Sequence, residues 1–242
     1  MSVKRFFTSD THLGHLLLAG KRGFFKPDER PDLKAHDEEI IRRWNAEVSA
    51  LDIVFLLGDA VMGNRSANLR LFDRMNGVKH LITGNHDDPW SGNKNSWNKY
   101  GPYLEVFASV QPFAQVSIGS RIVLLSHFPY KGDGDHSGED RFTQFRLRDE
   151  GAILLHGHTH SAVRRTSPRE IHVGMDAWSL TPVSESRILS MMSNRDNSRG
   201  HEATATSPRH GPTSASAANR IHSASTRGGS DSGVSGAPGN PR

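Results

Sequence analysis

The sequence contains no cysteine. That excludes a disulfide scaffold, thiolate-bound zinc, cysteine-ligated iron–sulfur clusters and thiol catalysis, and it fits a reducing compartment. No apolar run approaches the roughly 20 residues that a membrane-spanning helix needs. Lys4 and Arg5 ahead of Phe6 and Phe7 resemble the start of a signal peptide, but Asp10, His12 and His15 interrupt any apolar continuation. A soluble cytoplasmic protein is expected. Charge of one sign is not dominant either: 30 Lys and Arg stand against 26 Asp and Glu, a net +4.

Aromatic residues are missing from one part of the chain. All 11 Phe, 4 Trp and 3 Tyr precede Ser193. The 50 residues from Ser193 to Arg242 hold 10 Ser, 7 Gly and 4 Pro, with Ile221 and Val234 as the only larger aliphatics. Such a segment cannot bury enough apolar surface to offset its ordering entropy. The expected organisation is therefore one domain over residues 1–192 and a disordered tail over 193–242. The tail carries +3 of the net charge and residues 1–192 only +1. The folded part thus gives no electrostatic signal for nucleic acid, and the widely spaced tail arginines make a poor patch. Nucleic acid is admitted as a partner but not indicated, and no membrane partner is expected. The oligomeric state is not legible.

Within residues 1–192, short apolar runs alternate with helical patterns. Strands are expected at Val3–Ser9, Ile53–Leu57, His80–Thr83, Ala114–Ile118, Arg121–Ser126, Ala152–His156, Glu170–Val173 and Arg187–Met191. Helices are expected at His36–Ala50, where Ile40, Ile41, Trp44 and Val48 share a face, at Asn64–Met75 and at Arg141–Glu150. Gly119-Ser120 reads as a two-residue hairpin turn. This order argues for an α/β fold, layered around a mixed sheet. Trp44, Trp90 and Trp97 read as packing residues.

The polar residues at the strand ends carry the functional signal. Asp10-Thr-His12 follows the first strand, Gly58-Asp59 the second and Gly84-Asn85-His86-Asp87 the third. His127 and His156-Gly-His158-Thr-His160 follow two later strands. Sites in layered α/β folds form outside the carboxyl ends of strands. Together Asp10, His12, Asp59, Asn85, His127, His158 and His160 offer carboxylate, amide and imidazole groups, enough for two metal ions. Hard oxygen plus imidazole donors without thiolate suit manganese, iron, zinc or cobalt.

The order Asp-x-His, Gly-Asp, Gly-Asn-His-Asp, His, Gly-His-x-His, spread over roughly residues 5 to 190, resembles the calcineurin-like metallophosphoesterase superfamily, in particular its small bacterial and phage members. The resemblance implies a four-layer α/β/β/α sandwich of mixed sheets. It implies two divalent ions, manganese first, with iron, zinc, cobalt or nickel as alternatives. By the same match, one metal site takes Asp10, His12 and His160 with Asp59 bridging. The other takes Asp59, Asn85, His127 and His158. His86 matches the non-ligand histidine beside the scissile phosphate. His156, outside the motif, is expected in the strand or behind the ligands.

The implied activity is phosphodiester or phosphomonoester hydrolysis through a metal-bridging hydroxide on a small phosphate-ester substrate. Two metals neutralise the phosphoryl oxygens and make hydroxide available near neutral pH. The Ser/Thr protein phosphatases carry Asp three residues after the bridging aspartate, followed by Arg-Gly; Met62-Gly63 stand here. That favours nucleotide-type or small phosphodiester substrates over phosphoproteins, and leaves Asp87 or Asp176 as candidates to orient His86. His15, Arg22, Asn64 and Arg65 are candidate phosphate contacts. Lys131–Asp140, with its glycines and acidic residues, reads as a lid. A nuclease of the same superfamily, or a non-catalytic metal-binding scaffold, are the rival readings.

Overall fold

The computed structural model describes residues 2–133 and 139–193; the expected disordered tail, apart from Ser193, which ends a helix, and the centre of the expected lid lie outside the described residues. Two five-stranded mixed sheets form the frame. In the first, β1 (Arg5–Thr8), β2 (Ile53–Leu56), β3 (Val78–Ile82) and β4 (Ser109–Gln111) run parallel, and β10 (Val183–Ser184) pairs antiparallel with β1. The second has the order β5 (Phe113–Ile118), β6 (Arg121–Ser126), β7 (Ile153–His156), β9 (Glu170–His172), β8 (Arg165–Ser167). Here β6, β7 and β9 are parallel, while β5 and β8 are antiparallel to their neighbours.

The period-2 pattern of the first sheet assigns its two faces. Phe6, Val54, Leu56 and Leu81 point into a core with Ile40, Ile41, Trp44 and Val48 from helix α2 (Leu33–Glu47) and its C-terminal edge. Phe7, Leu57 and Ile82 point the other way, onto Val123, Leu125, Leu155 and Ile171 of the second sheet. Most of these side chains are fully buried, and each such burial stabilises by about 1.5–3 kcal/mol. Trp44 also donates its indole N–H to the Asn76 carbonyl at 2.9 Å, so its one polar atom is satisfied. The layered α/β architecture of two mixed sheets is the expected one.

Other elements depart from expectation. Asn64–Met75 forms only a short helix, α3 (Arg65–Leu69), continued as a 3-10 turn over Arg70–Arg74. Arg187–Met191 is not a strand but part of α5 (Glu185–Ser193). Ile188 and Met192, one helical turn apart, bury against the inter-sheet core. Arg141–Glu150 is not a helix: it holds one 3-10 turn at Thr143–Phe145, and Arg146 instead donates to the carbonyls of Pro129 and Gly132. Trp97 is exposed rather than packed. Helices α1 (Leu16–Lys21) and α4 (Gly101–Leu104) and strands β4, β8 and β10 are additional. The Gly119-Ser120 hairpin forms as expected, with Ile118 opposite Arg121 and Gly119 at φ +58°. Among the described residues no helix is long and apolar enough to cross a membrane.

Candidate metal centre

The parallel register brings the carboxyl ends of β1, β2 and β3 to one edge; His127 after β6 reaches Leu57 C=O and His158 after β7 reaches Asp10, so these strands end beside them. The loops leaving β1 and β2 are stitched together: Asp10 N–H donates to Gly58 C=O and His12 N–H to Asp59 C=O, both at 3.0 Å. Asp10, His12, Asp59, His158 and His160 all have φ between +46° and +69°. Non-glycine residues in this region cost of order 1–3 kcal/mol each, and such residues cluster where the surrounding structure holds them for function. The concentration of five at one strand edge is the first structural mark of the site.

The side chains converge. Ligand atoms of Asp10, His12 and His160 all lie within 4.8 Å of one another, as do those of Asp10, Asp59 and His127. Asp59 Oδ2 stands between the two histidine groups, 3.5 Å from His12 Nε2 and 3.4 Å from His127 Nε2. His12 Nε2 and His160 Nε2 face each other at 3.2 Å, and Asn85 Oδ1 lies 3.2 Å from His127 Nε2. Asp10, His12, Asp59 and His127 are buried. His158 belongs to the cluster through its backbone, whose N–H reaches Asp10 at 3.1 Å. Its ring Nε2 is turned to Asp133 Oδ1, 3.2 Å away.

Glycines make this approach feasible at two positions. A Cβ on Gly84 would stand 2.3 Å from Asp59 Oδ1, and one on Gly157 would stand 1.9 Å from Ser9 Oγ and 2.5 Å from Asp10 Oδ2.

The remote ring nitrogens are anchored. His127 Nδ1 donates to the Leu57 carbonyl at 2.8 Å and His160 Nδ1 to Asp176 Oδ2 at 2.9 Å. Each bond fixes which nitrogen carries hydrogen and leaves Nε2 toward the carboxylates. Burial alone pushes the His127 pKa down, but the neighbouring Asp59 carboxylate outweighs it and raises it to about 9. Burial likewise works against the Asp59 charge, and His127 and His12 hold its pKa well below the usual carboxylate range. His12 itself is lowered, by burial first. Two imidazole nitrogens face to face among buried carboxylates fit a cation better than they fit one another. The donor set of oxygen and imidazole nitrogen suits divalent first-row ions.

Several sequence expectations are corrected here. Asp87 does not orient His86. Its carboxylate accepts from the backbone N–H groups of Asp59, Ala60 and Gly84 at 2.8–3.0 Å and so builds the turn. Asp176 does not orient it either, being bonded to His160 and Arg22. His86 is half-exposed, with Nε2 4.0 Å from Asp59 Oδ2. Arg22 is no phosphate contact: it is buried, and donates to Asp176, Asp10 C=O and Thr11 C=O. Asn64 caps α3 by accepting from Ala67 N–H, and His15 caps α1 beside the site, its ring 5.5 Å from that of His12. Arg65 stays half-exposed while donating to the His86 carbonyl. His156 ends β7 with Nε2 on Thr166 Oγ1 at 2.7 Å, outside the cluster, as expected. Asp133 stood in the stretch read as a lid and Asp176 among the candidates to orient His86, but nothing in the sequence ties Asp133 to His158 and Arg146, or Asp176 to His160.

The model of the calcineurin-like phosphoesterase family matches residues 4–162. The chain belongs to that family. Family members are metal-dependent phosphoesterases, and the match spans all seven candidate ligand positions. Two phage proteins are similar over most of their length. The Gene 66 protein of Mycobacterium phage D29 is 43% identical over 76% of this chain and 94% of its own. The Gene 66 protein of Mycobacterium phage L5 is 41% identical over 71% and 86%. Among solved structures, a protein of unknown function from Aquifex aeolicus, AQ665, superposes with a TM-score of 0.58. It is 21% identical, and the alignment covers 78% of this chain and all of that one; this likeness concerns the fold.

Proposed function

We propose that the chain hydrolyses phosphoester bonds using two divalent metal ions. One would be held by Asp10, His12 and His160 and the other by Asn85, His127 and His158, with Asp59 shared between them. The observation that carries this reading is the position of Asp59 Oδ2, within 3.5 Å of a histidine nitrogen on each side. When bound, such ions supply charge neutralisation for the phosphoryl oxygens and bring the acidity of bound water near neutral.

The protein's own groups do the rest. Asp87 and the glycine turns hold the carboxylates in place without reorganisation during the reaction. Asn85 is neutral, so the centre keeps more positive charge for an anionic substrate than a carboxylate there would leave. His86, at the exposed rim, is free to hold a proton for the leaving oxygen; help of this kind is worth about 10²–10⁴-fold. Arg65 and Arg141 are partly exposed beside His86 and His158 and can contact substrate oxygens. Met62-Gly63 in place of an Asp and Arg-Gly favours nucleotide-type or small phosphodiester substrates.

The test is hydrolysis of bis-p-nitrophenyl phosphate beside p-nitrophenyl phosphate by metal-stripped protein with and without Mn²⁺. The reading expects Mn²⁺-dependent turnover, faster on the diester, and reduced at least 100-fold by Asp59→Asn and by His86→Ala. Folded protein that hydrolyses neither ester with any divalent ion contradicts it.

A further inference from the structure

Deepening the proposed metal site, and resting on that reading, we propose that Asp133 is the positioning residue that makes His158 a ligand through Nδ1. His158 is the one candidate histidine whose Nε2 does not face the central carboxylates. Its Nε2 instead lies 3.2 Å from Asp133 Oδ1, and both side chains are buried. An ionised carboxylate only accepts hydrogen bonds, so the hydrogen sits on Nε2 and the lone pair on Nδ1. The competing arrangement has Nε2 accept from Arg141 Nη2. That contact is 3.5 Å, at the limit of a hydrogen bond, and the shorter contact to a charged acceptor prevails.

The carboxylate is itself held rigidly. Arg141 donates to Asp133 Oδ2 through Nε at 2.6 Å and through its backbone N–H at 3.1 Å. Arg146, buried, donates to Asp133 Oδ1 and to the carbonyls of Pro129 and Gly132. Two guanidinium groups on one carboxylate, from Arg141 and Arg146, favour its charged, accepting form. The result is a chain from Arg146 through Asp133 to His158, reaching from the β6–β7 loop to the metal cluster. It parallels the Leu57 carbonyl behind His127 and Asp176 behind His160. Carboxylates placed behind a ligating imidazole fix its tautomer and raise its basicity, and losing one typically weakens metal binding about 10–100-fold.

The test has two independent readouts. In metal-free wild-type protein, two-bond ¹⁵N–¹H correlation spectra of the imidazoles report tautomers directly. The proposal expects His158 as the Nε2–H form, and an Nδ1–H form overturns it without any variant. Mn²⁺ titration of Asp133→Asn by calorimetry is the second readout. It expects one site to keep its wild-type affinity and the other to weaken 10–100-fold; two sites of unchanged affinity overturn the proposal. Arg30→Ala, which loses only an exposed pair with Asp28, controls for general damage and keeps both readouts at their wild-type values. If wild-type protein binds no metal, the proposed function fails, while the tautomer spectrum still decides the role of Asp133.

Discussion

Arg22 and Asp176 form a bidentate pair, Nε–Oδ1 2.8 Å and Nη2–Oδ2 2.9 Å, and the same Asp176 Oδ2 accepts from His160 Nδ1 at 2.9 Å. Arg22 also donates to the carbonyls of Asp10 and Thr11, so one buried guanidinium ties β1's terminal loop to the turn that supports His160. Breaking a buried pair from one side is costly because the remaining charge stays desolvated. Arg22→Ala is expected to destabilise by about 3 kcal/mol. That lowers Tm by about 10 °C for a domain of this size. Arg22→Lys should recover little, since a single ammonium cannot reproduce the fork. Thermal unfolding of the three proteins checks this; a shift under 2 °C for Arg22→Ala contradicts it.

Gly84→Ala places a methyl group 2.3 Å from Asp59 Oδ1 and 2.7 Å from its backbone nitrogen. The carboxylate oxygen is held by His86 N–H at 2.9 Å and the nitrogen is backbone, so Asp59 must move. A misplacement near 1 Å at a reacting centre costs about 100-fold in rate. The expected outcome is a comparable loss of Mn²⁺-dependent turnover in a folded protein. Gly101→Ala, whose Cβ meets nothing within 4 Å, should be neutral.

Metal binding should depend on pH with a definite sign. Burial lowers and Asp59 more strongly raises the His127 pKa, to about 9, so below that value a metal must displace a proton. Apparent Mn²⁺ affinity should rise about tenfold from pH 6.5 to 7.5. Calorimetric titrations at the two pH values in buffers of different ionisation enthalpy measure both the affinity and the proton released. An affinity independent of pH contradicts the assignment.

His172 gives a stability prediction. It is fully buried with neither ring nitrogen hydrogen-bonded in the structure, and burial first, then nearby His156, lowers its pKa to about 4. A histidine with a depressed folded pKa is neutral in the native state while the unfolded chain takes up a proton below about 6.5. Its contribution is therefore present above that value and lost as pH falls toward 4. Between pH 7 and pH 5 the loss is about 2 kcal/mol. His172→Leu removes that share, so its stability relative to wild type should be about 2 kcal/mol more favourable at pH 5 than at pH 7, by urea unfolding. An equal difference at both pH values contradicts it.

The sequence made the strand ends legible because an apolar, β-branched run followed at once by Asp, Asn or His carries both a period and a chemical break. Asp10, Asp59, Asn85 and His127 stand out in this way, and the structure brings their side chains together. Arg187–Met191 was misread because five apolar-rich residues fit either period, and only the depth of Ile188 and Met192 decides. Arg22 was misread because an arginine after a metal motif looks the same in sequence whether it meets solvent or Asp176, 154 residues away. Asp133 was read only as part of a lid for the same reason, being 25 residues from His158 with no motif joining them. The left-handed backbone at Asp10, His12, Asp59, His158 and His160 falls on Asp and His, the types other than glycine and Asn that enter that region most readily, but the preference is too weak to mark a position in the sequence.

The measurement that bears most directly on the central claim is turnover of bis-p-nitrophenyl phosphate as Mn²⁺ is titrated into metal-free protein at a concentration well above its affinity. The account predicts that activity rises until two equivalents per chain are bound and then stays level, and that Asp59→Asn abolishes the response. Full activity at one equivalent, or activity indifferent to Mn²⁺ and to Asp59→Asn, contradicts it.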